Sequence, residues 1–391
     1  MQDPKKPVVV ILGAGYAGLL ACSRILRAPG PVRVIVVSAN PYFEQRIRLH
    51  ETLAGQTTAR LKLAPVLARR GAEFRHDRVL RLDPARQEVE LTGGEVLAYD
   101  WLVHALGSQP ACTIPGSREH AVQLDSRDRM QAMHARVSAL ADRKGRVIVL
   151  GGGLTAQEVS SELAERFPGL SVMMVSGREP GADLSPKARD ALLTALDELG
   201  VLRQQGRITA IEPGQVRLAE GAALPFDLCI DCSGMRASPL AADSGLAVDE
   251  HGRVAVDDCL CLPGFKNVFV AGDTARVEIA GEPLRMACAT AMPLGACAGM
   301  NVAALLAGRH PQAFDFGYFA RLVSLGRRRG VTQFVDRADS PDGAVVSGFV
   351  AARYKEWICR MTFSIVKWEL LTGLPLYFWP GSGGRYQEQV E

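Results

Sequence analysis

Pro7-Val8-Val9-Val10-Ile11-Leu12-Gly13-Ala14-Gly15-Tyr16-Ala17-Gly18 is the stretch that decides the fold. Its first half is a continuous apolar run, as a strand buried on both faces requires. A glycine turn follows, then a helical stretch from Ala17 to about Ala28, ended by Pro29-Gly30-Pro31. Val32 to Val37 reads as a second strand, so the whole is one βαβ unit. In that context G-x-G-x-x-G has physical content. Gly13 permits the tight turn, Gly15 lets the backbone approach a pyrophosphate, and Gly18 lets helix and strand pack closely. The helix N-terminus then faces the negative phosphates. The carboxylate that usually ends the second strand is replaced by Ser38, followed by Ala39-Asn40, which can hydrogen-bond a ribose more weakly.

The pattern repeats. Arg146 to Leu150 is a strand, Gly151-Gly152-Gly153-Leu154-Thr155-Ala156 a second finger, Thr155 to Arg166 a helix, and Ser171 to Val175 the next strand. Gly151, Gly153 and Ala156 take the three motif positions, and Ala at the third is tolerated. The acidic position is again vacant, at Ser176-Gly177-Arg178. Without a carboxylate there, Arg178 can pair with the 2′-phosphate of NADPH, or simply sit solvated in its loop. Each finger is followed by a meander and a strand ending in a Gly turn: Glu88 to Gly107 in the first half, Val216 to Gly234 in the second. A third motif, Asn267-Val268-Phe269-Val270-Ala271-Gly272-Asp273, delivers a carboxylate at a strand end, with a helix expected from near Arg285 to Ala291. Such an Asp can accept hydrogen bonds from the ribityl hydroxyls of a flavin.

On these residues the chain resembles the two-dinucleotide-domain flavoproteins of the pyridine nucleotide-disulfide oxidoreductase superfamily. Within it, the chain looks most like type II NADH dehydrogenases and apoptosis-inducing-factor-like NAD(P)H:quinone reductases. Further landmarks are Ala105-Leu106-Gly107-Ser108, Cys232-Ser233-Gly234 and Gly272-Asp273. The resemblance implies an α/β fold with two Rossmann-like dinucleotide-binding domains, the nicotinamide domain inserted into the FAD domain. The FAD domain is expected over 1–115 and 240–310, the NAD(P)H domain over 116–239, and a smaller C-terminal region over 311–391. It implies FAD as cofactor, NADH or NADPH as hydride donor, and a lipophilic small-molecule acceptor such as a quinone. It also suggests Glu158 near the nicotinamide, Arg46 or Arg48 against phosphate or flavin, and His50 as an acid/base.

The chain departs from the family in two places. No Cys lies between Pro41 and Gly55, where the disulfide reductases carry a redox pair. Ala289, Pro293 and Leu294 stand where type II dehydrogenases place quinone-motif glutamines, so the acceptor pocket reads as apolar. Cys229-x-x-Cys232 and Cys259-x-Cys261 lie on expected buried segments and read as core, and no spacing suggests a metal site.

The bulk properties agree. The 391 residues are 48% apolar, with a formal net charge of +3, too small an excess to suggest nucleic acid. Arg327-Arg328-Arg329 reads as a solvated turn or a phosphate contact. The opening MQDPKKP lacks an export signal, and no stretch reads as roughly 18 to 20 consecutive apolar residues. The expectation is a cytoplasmic protein, with any membrane contact peripheral. That contact would run through Trp357, Met361, Ile365, Trp368 and Leu371, which share one helical stripe with Lys355 opposite. The same stripe suits packing on the core or on a second copy in a homodimer. Two other functions fit the motifs: a flavin oxidase or monooxygenase, and a redox-sensing NAD(P)H-binding flavoprotein with little turnover.

Overall fold

The computed structural model describes residues 6–279, 281–341 and 343–382. Residues 1–5 of the expected export-signal-free start, and 383–391 of the expected C-terminal region, lie outside the described residues. Two parallel five-stranded sheets carry the chain. In the first, Val268–Val270, Trp101–His104, Val8–Leu12, Arg33–Ser38 and Ala72–His76 lie side by side in that order. In the second the order is Val122–Gln123, Leu228–Asp231, Arg146–Leu150, Ser171–Ser176 and Leu202–Gln205. Each glycine finger thus leaves the middle strand of its sheet, as a doubly wound dinucleotide fold requires. The second sheet is inserted into the first unit. The chain leaves along Ser108–Pro110 and returns along Met235–Ala237, and these two segments pair antiparallel.

The helix after the third motif spans Cys288–Leu306, beginning near the end of the stretch expected from the sequence. It also corrects the sequence reading of membrane-spanning length, because it is long and apolar enough to cross a bilayer. Two-thirds of its apolar window is buried, and it lies against the first helix, Tyr16–Ile25. Gly295 and Gly299 make that approach possible. A Cβ on Gly295 would collide with the Ala17 carbonyl, and one on Gly299 would lie 2.6 Å from the Ala21 oxygen.

The C-terminal region is a three-stranded antiparallel sheet, Ala320–Leu325, Arg329–Phe334 and Val345–Ser347, followed by the helix Phe349–Thr372. Of the expected stripe, Ile365 and Leu371 pack against the core, while Trp357 and Trp368 are 56% and 50% exposed; the helix buries Cys359, Thr362, Phe363, Val366, Glu369 and Leu370 instead. Phe43 stacks on Phe363 and meets Tyr16 edge-on. Glu369 forms a buried ion pair at 2.8 Å with Arg24 of the first helix.

His104, on the first sheet, is fully buried, and neither ring nitrogen has a hydrogen-bond partner among the described residues. Burial pushes its pKa down to about 4 from an ordinary 6.5. The unfolded chain therefore takes up this proton first, and stability falls as pH drops from 6.5 towards 4. The expected loss is about 3 kcal/mol. His104→Leu is expected to remove that part of the slope in urea midpoints measured from pH 7 to pH 4. Parallel slopes for the two proteins would show that His104 does not titrate in this way.

Candidate active site

The first finger has the geometry its motif requires. Gly13 has φ +100°, and a Cβ there would collide with the Ala105 carbonyl. Gly18 lies so close to Gly13 that a Cβ would strike its carbonyl. Gly15 differs: its backbone is extended, and nothing lies within 4 Å of a Cβ built on it. Two glycines therefore close the turn and one opens onto space. In the second finger a Cβ on Gly151, at φ +114°, would lie 2.5 Å from the Cys232 carbonyl oxygen, while Gly153 faces open space. Ala156 is fully buried against its sheet.

Asp273 follows the strand Val268–Val270 and sits in a short turn beginning at Gly272, whose φ is +73°. The Ser108 hydroxyl donates to its Oδ2 at 2.5 Å. Its Oδ1 is buried with no partner of good hydrogen-bond geometry among the described residues. Burial pushes this carboxyl up, against the Ser108 bond and the nearby Arg46 charge. Arg46 donates to the Ser108 carbonyl oxygen, just past the left-handed Gly107. A buried acceptor without a donor costs free energy. A hydroxyl-rich ligand in the first finger would satisfy it, so these residues fit a flavin dinucleotide.

The ribose positions are turns closed on themselves. The Ser38 hydroxyl accepts from the Asn40 amide at 3.2 Å and donates to the Asn40 carbonyl at 3.0 Å. The Ser176 hydroxyl donates to the Arg178 carbonyl at 2.5 Å. The Arg178 side chain is exposed and makes no ion pair among the described residues.

Glu158, on the helix Leu154–Arg166, is buried. Its Oε1 accepts from the Ser324 amide and hydroxyl, both at 3.1 Å, and lies 3.4 Å from Lys355 Nζ. Burial alone would push the Glu158 carboxyl up. Lys355, His50 and the Ser324 bonds outweigh it and hold the carboxyl low. Lys355 is held charged to a pH above its ordinary value by Glu158, despite its own burial. Lys355 does lie opposite the tryptophan stripe, as the sequence reading has it, and that side of the helix is the one turned inward. His50 is buried with Nε2 unpartnered, and burial lowers its pKa.

Arg48 is not free for a phosphate, because it holds Glu51 at 2.7 Å and Glu356 at 3.0 Å. The arginine run does fall at a turn, with Arg328 exposed and Arg329 holding Glu198 at 2.8 Å at the surface, but Arg327 turns inward to reach Glu51 at 3.2 Å and Glu162 at 2.9 Å. These groups surround a cleft of about 240 Å³ lined by His50, Glu51, Gln56, Arg327 and Lys355 among others. Cys229 is buried in its strand and Cys232 follows it. Burial and Asp231 push both thiols up, so neither supplies a ready thiolate.

Sequence reasoning missed Lys355, Ser324, Glu162 and the pairing role of Arg327. One signal was available for Glu162: it follows Glu158 by four residues and so shares its helix face.

The model of the pyridine nucleotide-disulphide oxidoreductase family matches residues 7–292. An NADH dehydrogenase-like protein of Mycobacterium tuberculosis is 31% identical over 345 residues, covering 81% of this chain and 85% of that protein. A type II NADH:quinone oxidoreductase of Staphylococcus aureus is 26% identical over 376 residues, covering 86% and 91%. Among solved structures, NDH2 of Plasmodium falciparum in complex with NADH superposes with a TM-score of 0.78 at 14% identity, covering 95% of this chain and 100% of that one. That last likeness is one of fold.

Proposed function

Because the chain belongs to the pyridine nucleotide-disulphide oxidoreductase family, we propose that it is an FAD-dependent NAD(P)H oxidoreductase whose acceptor is a lipophilic quinone. The observation that carries the cofactor reading is the buried, unpartnered Asp273 Oδ1 beside a finger whose Gly15 opens onto space. The quinone is supported by the type II NADH:quinone oxidoreductase among the relatives. The lack of any Cys from 41 to 55 points away from a dithiol relay at that place.

A bound flavin supplies the two-electron carrier between nicotinamide and acceptor. The protein's part is to bind and orient. The first finger and Asp273 hold the flavin dinucleotide, with Arg46 and Gly107 shaping the turn beside it. Gly151, Gly153 and Ala156 hold the nicotinamide dinucleotide. Glu158 and Lys355 keep each other charged, so the ammonium presents a fixed positive charge at the cleft.

Stopped-flow mixing with NADH and NADPH, then anaerobically with menadione, tests the reading. Bleaching of the yellow protein and its return on adding menadione are expected. No bleaching by either nucleotide would overturn the proposal. Slow return with menadione, coupled to substrate-dependent oxygen uptake, would favour an oxidase or monooxygenase. Arg178→Ala is expected to raise the KM for NADPH roughly tenfold, through a lost charge-assisted contact, and to leave that for NADH nearly unchanged. Equal effects on both nucleotides would remove Arg178 from 2′-phosphate recognition.

The same reading extends to location. Trp357, Trp368 and Phe378 are exposed on the C-terminal segment, and Lys367 lies over the Trp368 ring. A surface of this kind suits a membrane interface. Co-sedimentation with anionic vesicles is expected. A concentration-dependent dimer with no vesicle binding would assign the stripe to a second copy instead.

A further inference from the structure

Reducing a quinone with NAD(P)H consumes one proton: NAD(P)H, H+ and quinone give NAD(P)+ and hydroquinone. The hydride carries both electrons and one hydrogen, so the second hydrogen must come from solvent. Resting on the function proposed above, we propose that Glu162 is the loading point for this proton. It takes the proton at the solvent-facing cleft and passes it by way of Glu51 towards His50.

The geometry begins with a shortage of positive charge. Three carboxylates, on Glu51, Glu162 and Glu356, share two largely enclosed guanidiniums, on Arg48 and Arg327. Arg360 also meets Glu356, at 2.5 Å, but its side chain is 71% exposed. A proton held by one of the three relieves the imbalance. Glu162 is the best placed to hold it, at 2% exposed and next to the cleft.

Gln56, which lines the cleft, donates its amide to Glu162 Oε1, and Arg327 Nε donates to Oε2 at 2.9 Å. The groups facing Glu162 are Arg327 from the sheet turn, Glu51 from the helix Leu49–Leu53, and Glu165 on its own helix. Glu165 is itself tied to Arg329 at 3.6 Å. Burial, with Glu51 and Glu165, pushes the Glu162 carboxyl up to about 7 against the pull of Arg327. Near neutral pH it therefore both accepts and gives up a proton.

The path inward is short. Arg327 bridges Glu162 and Glu51, holding both carboxylates against one guanidinium. Glu51 Oε1 lies 3.9 Å from the unpartnered His50 Nε2. His50, Glu51, Gln56 and Arg327 all line the same cleft, where water completes the hops that exceed hydrogen-bond length. Each transfer leaves a carboxylate that solvent recharges, so no further reactant is required.

The test separates the two half-reactions of the flavin-loaded protein, because hydride uptake from NADH needs no solvent proton. Glu162→Gln is expected to keep bleaching by NADH within about twofold. Reoxidation by menadione is expected to slow about tenfold or more and to lose its pH inflection near 7. Glu162→Asp, which keeps the carboxyl, is expected to restore much of that rate. An infrared carboxylic-acid band that grows as pH falls through 7 is expected in the wild type and absent from Glu162→Gln. The relay is overturned alone if wild type and Glu162→Gln reoxidise at the same rate with the same pH profile, or if the band survives the substitution. It is also overturned alone if both half-reactions slow together with a lowered melting temperature. A wild type that menadione does not reoxidise overturns the quinone reading and the relay with it.

Discussion

Replacing Lys355 with methionine is expected to destabilise the protein by about 3–5 kcal/mol, the usual cost of leaving a buried charge without its partner. Methionine keeps most of the length of the side chain and removes the ammonium that faces Glu158 at 3.4 Å. What remains for Glu158 is two hydrogen bonds from Ser324, too few to offset its burial. The effect has a pH signature. In the wild type the Glu158 carboxyl is held below its ordinary value, so its contribution is present above pH 4.5 and lost in acid. In the variant burial prevails and the carboxyl rises above 4.5, so the deficit grows as pH climbs from there. Urea unfolding at pH 5 and pH 8 should show the larger loss at pH 8. A second substitution, Glu158→Leu, should recover most of it. A loss under about 1 kcal/mol at pH 8 would mean that water reaches the pair.

Gly15→Ala is expected to lower flavin affinity roughly 10- to 100-fold, the worth of one charge-assisted bond from a backbone amide. The methyl group meets nothing within 4 Å, and the backbone already has an extended conformation open to alanine. The apoprotein should therefore melt as the wild type does, and fluorescence titration with FAD should report the loss. Gly13→Ala makes the contrast. At φ +100° and against the Ala105 carbonyl, it should lower the apoprotein's melting temperature as well. If Gly15→Ala bound FAD as tightly as wild type, the open space at Gly15 would not be where phosphate approaches.

Much of this architecture could be read from periodicity. The Val8–Leu12 and Arg146–Leu150 strands, their glycine turns and the helices after them are local patterns, set by neighbours in sequence. Asp273 was legible because it ends a strand of the same kind. The C-terminal helix was legible as a helix ending at Gly373, but its buried face was not. Its inward face carries the half-buried Lys355 and the buried Glu369, and charged residues interrupt an apolar stripe, so the row of Trp357 and Trp368 stands out in the sequence instead. What makes those charges tolerable inside is a partner elsewhere: Glu158 lies 197 residues from Lys355 along the chain, and Arg24 lies 345 from Glu369. No local rule encodes such pairings. Arg327 was misread for the same reason, since its carboxylates come from a helix near residue 51 and another near 162.

The ion pair between Arg24 and Glu369 bears on how the protein is made. Arg24 leaves the ribosome early, in a helix that is buried along its whole length, and waits for a carboxylate encoded 345 codons later. At usual rates of elongation that interval is roughly 20–70 s. Until it ends, the newborn first unit has no counter-ion for this guanidinium and no cover for the surface around it. Closure of this part of the fold therefore waits for residue 369, and a chain lacking that residue leaves the Arg24 guanidinium without its carboxylate.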